Sequence, residues 1–112
     1  MKNARLEETW GRIWGFVHLK LYDSNVADIG IIDNTGISYG PLATEEIYDS
    51  TIKEIYDSGG GRVYVEDSKI SDYIDVRDAG SVVYGYGVTG QYQVLKANGG
   101  AYVPLDKPGP PW

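Results

Sequence analysis

Apolar and polar residues alternate from Phe16 to Tyr22, with Val17, Leu19 and Leu21 on one side and Phe16, His18, Lys20 and Tyr22 on the other. A period of two predicts a strand with one buried face, over about 12–22. Upstream, Leu6, Trp10, Ile13 and Trp14 sit at helical spacing, which predicts a short helix at about 4–10, weakened by Gly11 and Gly15. Asp23-Ser24-Asn25 is turn chemistry. Ile29, Ile31 and Ile32 then mark a strand, Asn34-Thr35-Gly36 a tight turn, and Ile37 to Tyr39 a returning strand.

The pattern changes at 44–61, TEEIYDSTIKEIYDSGGG, where Glu-Ile-Tyr-Asp-Ser occurs twice. Tyr48, Ile52, Ile55 and Tyr56 fall at i, i+4, i+7 and i+8, and Ile47 widens the stripe. Pro41 suits a first helical turn, Glu45 and Glu46 suit the positive end of the dipole, and Gly59 to Gly61 suit a stop. Asp49 and Lys53 are spaced as a helical ion pair. This spacing predicts one amphipathic helix, with the two pentapeptides just over two turns apart along it.

Alternation returns afterwards. Arg62 to Glu66, Ser71 to Arg77, Ser81 to Val88, Gln91 to Ala97 and Ala101 to Pro104 read as strands. Turns are expected at Asp67-Ser68, Asp78 to Gly80 and Thr89-Gly90, and Asn98-Gly99 is the strongest hairpin signal of the chain. No repeat of solenoid length stands out in this reading. The expected fold class is therefore α+β: one main amphipathic helix (about 41–58) packed on a curved, mostly antiparallel β-sheet, in two layers. A single domain over residues 1–106 would precede a Pro-rich C-terminal tail, 107–112. That tail holds three of the five prolines and ends in Trp112, either loose or an anchor on another surface.

Composition narrows the chemistry. The 112 residues include no cysteine, which removes disulfides, thiolate nucleophiles and cysteine-ligated metals. Together with a charged N-terminus and no long apolar run, this predicts a cytoplasmic protein with no membrane association. The net charge of −6, with scattered Lys and Arg, opposes direct binding of a nucleic-acid backbone and suits a basic protein partner.

Two short stretches resemble known families. Asp33-Asn34-Thr35-Gly36 resembles the Asp-Thr-Gly of aspartic proteases, but Asn34 separates the carboxylate from its turn, and the stretch reads as a hairpin. Val94 to Pro108, VLKANGGAYVPLDKP, resembles a core signature of nonribosomal-peptide adenylation domains. That stretch is interrupted by Asn98 and Lys107 and lacks the family's phosphate-binding loop, so no activity is carried over. Gly85-Tyr-Gly-Val-Thr-Gly90 matches G-x-G-x-x-G, yet it is followed by more β structure, not by the helix a dinucleotide needs. His18, the only histidine, sits in strand alternation with no metal-ligand spacing. Asp72, Asp75 and Asp78 do not share a face. No cofactor and no metal are expected.

The aromatic set is the most unusual feature: ten tyrosines and three tryptophans against one phenylalanine. Tyrosine brings apolar area and a hydroxyl that wants a partner, a combination favoured at interfaces and around polar ligands. Tyr84 and Tyr86 share a strand face, with small Gly85 and Gly87 opposite, and Tyr92 and Tyr102 lie on neighbouring predicted strands. With Trp14 and His18 they are the candidate ligand or interface residues. The expected function is a soluble binding module that self-associates as a dimer through a tyrosine-rich sheet face, groove or edge. It would accept a basic protein or a small polar ligand, as an immunity- or inhibitor-type protein does. The alternative is a small enzyme with a pocket between helix and sheet, using His18, tyrosines and carboxylates.

Overall fold

The computed structural model describes residues 5–6, 12–14, 18–31 and 44–112, with side chains at 18–26 and 44–112. The predicted turn at 34–36, the returning strand at 37–39 and the helix entry at Gly40-Pro41 lie outside these residues, as do Phe16 and Val17.

The main prediction is overturned between 44 and 58. The expected helix is two strands, β5 (Thr44–Tyr48) and β6 (Thr51–Asp57), divided by a corner at Asp49-Ser50. Its residues favour this outcome: Ile47, Tyr48, Thr51, Ile52, Ile55 and Tyr56 are β-branched or aromatic, stiff or bulky side chains that suit a pleated surface. The backbone at Asp49 has φ 50°, which breaks any continuous helix.

The same strand–corner–strand unit recurs along the chain. Before it come β1 (Arg5–Leu6), β2 (Arg12–Trp14), β3 (His18–Tyr22) and β4 (Asn25–Ile31). After it come β7 (Arg62–Glu66), β8 (Lys69–Arg77), β9 (Val82–Tyr86), β10 (Gln93–Ala97) and β11 (Ala101–Pro104). The helix expected at 4–10 is strand at Arg5–Leu6 and lies outside the described residues elsewhere.

These strands form two sheets. A five-stranded sheet, sheet A, runs β11-β9-β7-β5-β3, and a six-stranded sheet, sheet B, runs β1-β4-β6-β8-β10 with β2 also on β4. Every pairing is parallel. From β2 to β11 the chain alternates between the sheets, one rung at a time, so the fold is a β-solenoid and not an antiparallel α+β layer. The hairpin expected at Asn98-Gly99 is instead a turn from sheet B to sheet A: β11 pairs with β9, not with β10. Both Asn98 (φ 53°) and Gly99 (φ 91°) adopt the left-handed backbone that made them a turn signal.

The corner from sheet A to sheet B carries the solenoid's register. Asp23, Asp49 and Asp67 occupy equivalent positions with φ 48°, 50° and 49°, and Gly87 follows at 65°. Asp tolerates this region better than most residues. The next residue in three rungs is a buried serine, Ser24, Ser50 and Ser68. Ser24 N–H donates to Ser50 Oγ at 3.1 Å, and Ser50 N–H to Ser68 Oγ at 3.0 Å. Each hydroxyl in turn donates to the carbonyl two residues earlier, on Tyr22, Tyr48 and Glu66. The ladder therefore continues around the bend, with the Ser24 and Ser50 amides satisfied by the serine of the next rung. Ser50 and Ser68 are 18 residues apart and Ser24 and Ser50 are 26 apart. A repeat of solenoid length is thus present, although the sequence reading did not find it.

Inside, Leu19, Leu21, Ile47, Val63, Val65 and Val83 of sheet A meet Val26, Ile52, Ile55, Ile70, Ile74 and Val76 of sheet B. Inward positions stack in register, Leu21 on Ile47 on Val65, and Ile55 on Ile74. Between the Ile52–Ile70 and Glu54–Tyr73 pairs β8 carries one extra residue, a bulge that shifts its register against β6. Among the described residues no helix is long and apolar enough to cross a membrane.

Candidate functional site

Strand parity sends every second residue of sheet A outward. Tyr48 is in register with Tyr22, and Tyr64 with Glu46. The Tyr22 and Tyr48 rings stack at 4.9 Å and 9°, and Tyr64 meets Tyr48 edge-on at 5.8 Å. Glutamates two residues away share the face. Tyr48 Oη donates to Glu46 Oε1 at 2.5 Å, and Tyr64 Oη donates to Glu66 Oε1 at 2.5 Å. Lys20 Nζ lies 3.8 Å from Glu46 Oε2. Burial, then the Glu46 hydrogen bond and charge, raises the Tyr48 hydroxyl above its ordinary range. Tyr64 is pushed up to about 12, first by burial and then by Glu66. Both hydroxyls therefore stay protonated and remain donors. The face is a preorganised row of rings whose hydroxyl directions are fixed by carboxylates.

Residues 106–112 return across this face. Gly109 N–H donates to Tyr64 Oη at 2.6 Å, and Trp112 packs edge-on against Tyr84 at 6.0 Å with the Arg62 guanidinium 5.3 Å from its ring. Trp112 is thus an anchor, and Tyr64 is fully buried although its strand position points outward.

The candidate residues divide between regions. Tyr84 and Tyr86 lie on the outer face of sheet A, half-buried, with Val83 and Gly85 inward. Tyr102 points the other way, in register with Val83, and packs against the core with Tyr92. The Tyr92 and Tyr102 hydroxyls are 3.3 Å apart, and burial, reinforced by this contact, raises Tyr102. A Cβ at Gly85 would stand 2.5 Å from the Tyr102 hydroxyl, so the absent side chain makes room for that ring. The four tyrosines do not form one face. His18 is exposed, with Nδ1 2.9 Å from Thr44 Oγ1, at the margin of the outer face. Trp14 lies on β2, with its side chain outside the described residues. Tyr22, Tyr48, Tyr64, Glu46 and Glu66 were missed as site residues. Their signal was the two-residue spacing in Glu46-Ile-Tyr48 and Tyr64-Val-Glu66, which places each pair on one side of a strand.

A second unusual group lies inside. Glu45 and Asp57, on the two strands of one rung, are 1% and 0% exposed, and among the described residues no oxygen of either carboxyl has a hydrogen-bond partner. Burial pushes Glu45 up to about 8. Burial, and then the proximity of Glu45 and Asp78, pushes Asp57 up to about 9. Asp75 and Asp78 are engaged by contrast: Asp75 holds Arg77 through two hydrogen bonds, and Asp78 Oδ2 accepts from Gly59 N–H at 3.0 Å. Among the described residues no group of three or more histidines or carboxylates could hold a metal ion.

Against family models, curated proteins and solved structures, the chain has no match.

Proposed function

We propose that the protein is a non-catalytic binding module that engages its partner through the outer face of sheet A. The reading is carried by the Tyr22–Tyr48–Tyr64 row, with its hydroxyls committed to Glu46 and Glu66. Rigid aromatic area with fixed polar groups binds at low entropic cost, because little must be ordered on association. The paired glutamates and the net charge of −6 favour a basic protein partner, the relation of an immunity- or inhibitor-type protein. The cysteine-free composition keeps the cytoplasm as the proposed location.

The enzymatic alternative has less support. Its pocket required a helix over the sheet, and that segment is strand. Glu45 and Asp57 are sealed from any substrate, and His18 lies away from them at the exposed margin.

A thermal-shift panel of basic proteins, basic peptides and polar metabolites tests the reading, because a ligand of the folded state raises its melting temperature. A shift seen with the parent and lost in a Tyr22→Ser, Tyr48→Ser double variant is the expected result. Shifts that persist unchanged in the double variant would place binding elsewhere and reject the face.

A further inference from the structure

Residues 106–112 read Asp-Lys-Pro-Gly-Pro-Pro-Trp. Within Pro108 to Pro111 only Gly109 has a backbone N–H, and that donor is spent on Tyr64 Oη. The terminal ring is held between Tyr84 and Arg62. A proline-rich strand with one hydrogen bond to a tyrosine and one aromatic anchor is how proline-rich peptides dock in aromatic-lined grooves. The tyrosines and Arg62 belong to the rigid sheet, whereas the strand across them makes no sheet pairing beyond Pro104 and Leu105 N–H.

We propose that the Arg62–Tyr64–Tyr84 part of the outer face is a docking groove for proline-rich, aromatic-bearing peptides of other chains, and that residues 106–112 are its occupant in cis. This rests on the binding-module reading and names the ligand class of its covered half. The tethered segment competes as a high effective concentration of ligand, so the groove opens to a partner only when the segment is displaced.

A variant ending at Leu105 and a fluorescently labelled synthetic peptide of sequence 106–112 test this by anisotropy. The truncated chain binds the peptide saturably, at least about tenfold tighter than the full chain does, because the competitor is gone. Tyr84→Ser in the truncated chain, or Trp→Ala in the peptide, weakens binding about tenfold or more. Absence of saturable binding by a truncated chain with parental circular dichroism overturns the proposal, as does equal binding by both chains. So does self-pairing of the truncated chain that excludes the peptide, since the occupant would then be a second copy's bare face.

Should truncation unfold the protein, Gly109→Pro in the full chain serves instead. It removes the N–H and is incompatible with the native φ of 106°, while a Cβ there meets nothing within 4 Å. Peptide affinity should rise by about the same factor, and an unchanged affinity overturns the proposal. If the thermal-shift panel finds ligands lost in the Tyr22/Tyr48 variant but the peptide does not bind, only the peptide groove fails. If neither binds, both readings fail.

Discussion

Glu45 and Asp57 place two carboxyl groups where apolar side chains are expected, and the consequence is a dependence of stability on pH. Their ordinary values are 4.5 and 3.8, and in the folded protein they hold protons to about 8 and 9. The folded state therefore binds more protons than the unfolded chain between those limits. Their contribution is fully present below about pH 4 and is lost as pH rises through the folded values. Each group can contribute a slope of up to about 1.4 kcal/mol per pH unit, and the two are coupled through their mutual repulsion. The melting temperature should fall from pH 5 to pH 9 and flatten in a Glu45→Gln, Asp57→Asn double variant. A parent profile as flat as the variant's would show that the pair ionises without cost. Neither residue stood out in the sequence. Glu45 read as a helix N-terminal charge, because a glutamate in a predicted first turn has a sufficient reason to be there.

The strands lean on one another through their corners. Ser50 is buried, accepts from Ser24 N–H and donates to Tyr48 O. Ser50→Ala leaves a buried N–H without its acceptor and should cost about 1–3 kcal/mol, measured by urea unfolding. Ser71→Ala, at an exposed position of β8 outside the corner ladder, provides the comparison: equal losses at both positions would mean that the ladder has no special weight. At this scale much was legible. Leu19 and Leu21 against His18, Lys20 and Tyr22, and the strands near 62–66, 71–77 and 101–104, follow from alternation alone. Pairing was not legible, because a period of two says which side of a strand is buried but not which strand lies beside it. The helix expectation has a specific cause. Tyr48, Ile52, Ile55 and Tyr56 fall on a helical stripe because the Asp49-Ser50 corner and the change of buried parity between Ile52 and Ile55 each break the period of two. In the protein Ile52 and Ile55 are buried while Tyr48 and Tyr56 are only half-buried. The tyrosine row was hidden for the same reason, since Tyr22, Tyr48 and Tyr64 become neighbours only once rungs stack.

For the whole molecule, the last rung raises the question of association. Among the described residues β10 and β11 pair on one side only, and Leu95 and Val103 are 43% and 37% exposed. An open parallel edge with apolar side chains is a template for another strand unless it is covered. A second copy of the chain is the proposed partner there. Light scattering should give a dimer mass for the parent and a monomer mass for a Leu95→Lys, Val103→Lys variant. A monomeric parent at high concentration would remove the edge as a self-association surface. Leu95 lies on sheet B and the groove residues on sheet A, so Leu95→Lys alone should leave peptide binding by the Leu105-terminated chain unchanged, whereas Val103 is in register with Tyr84 and its replacement reaches the groove.

The 18-residue interval between Ser50 and Ser68 also makes the molecule extensible. One more such unit, carrying its own aspartate and serine at the bend, would lengthen the stack by about 4.8 Å, the spacing of neighbouring strands, and add one row to each wall without disturbing the others. Size of the recognition area and integrity of the core are thus decoupled, and growth by copying a short stretch of sequence is open to this architecture as it is not to a closed two-layer domain.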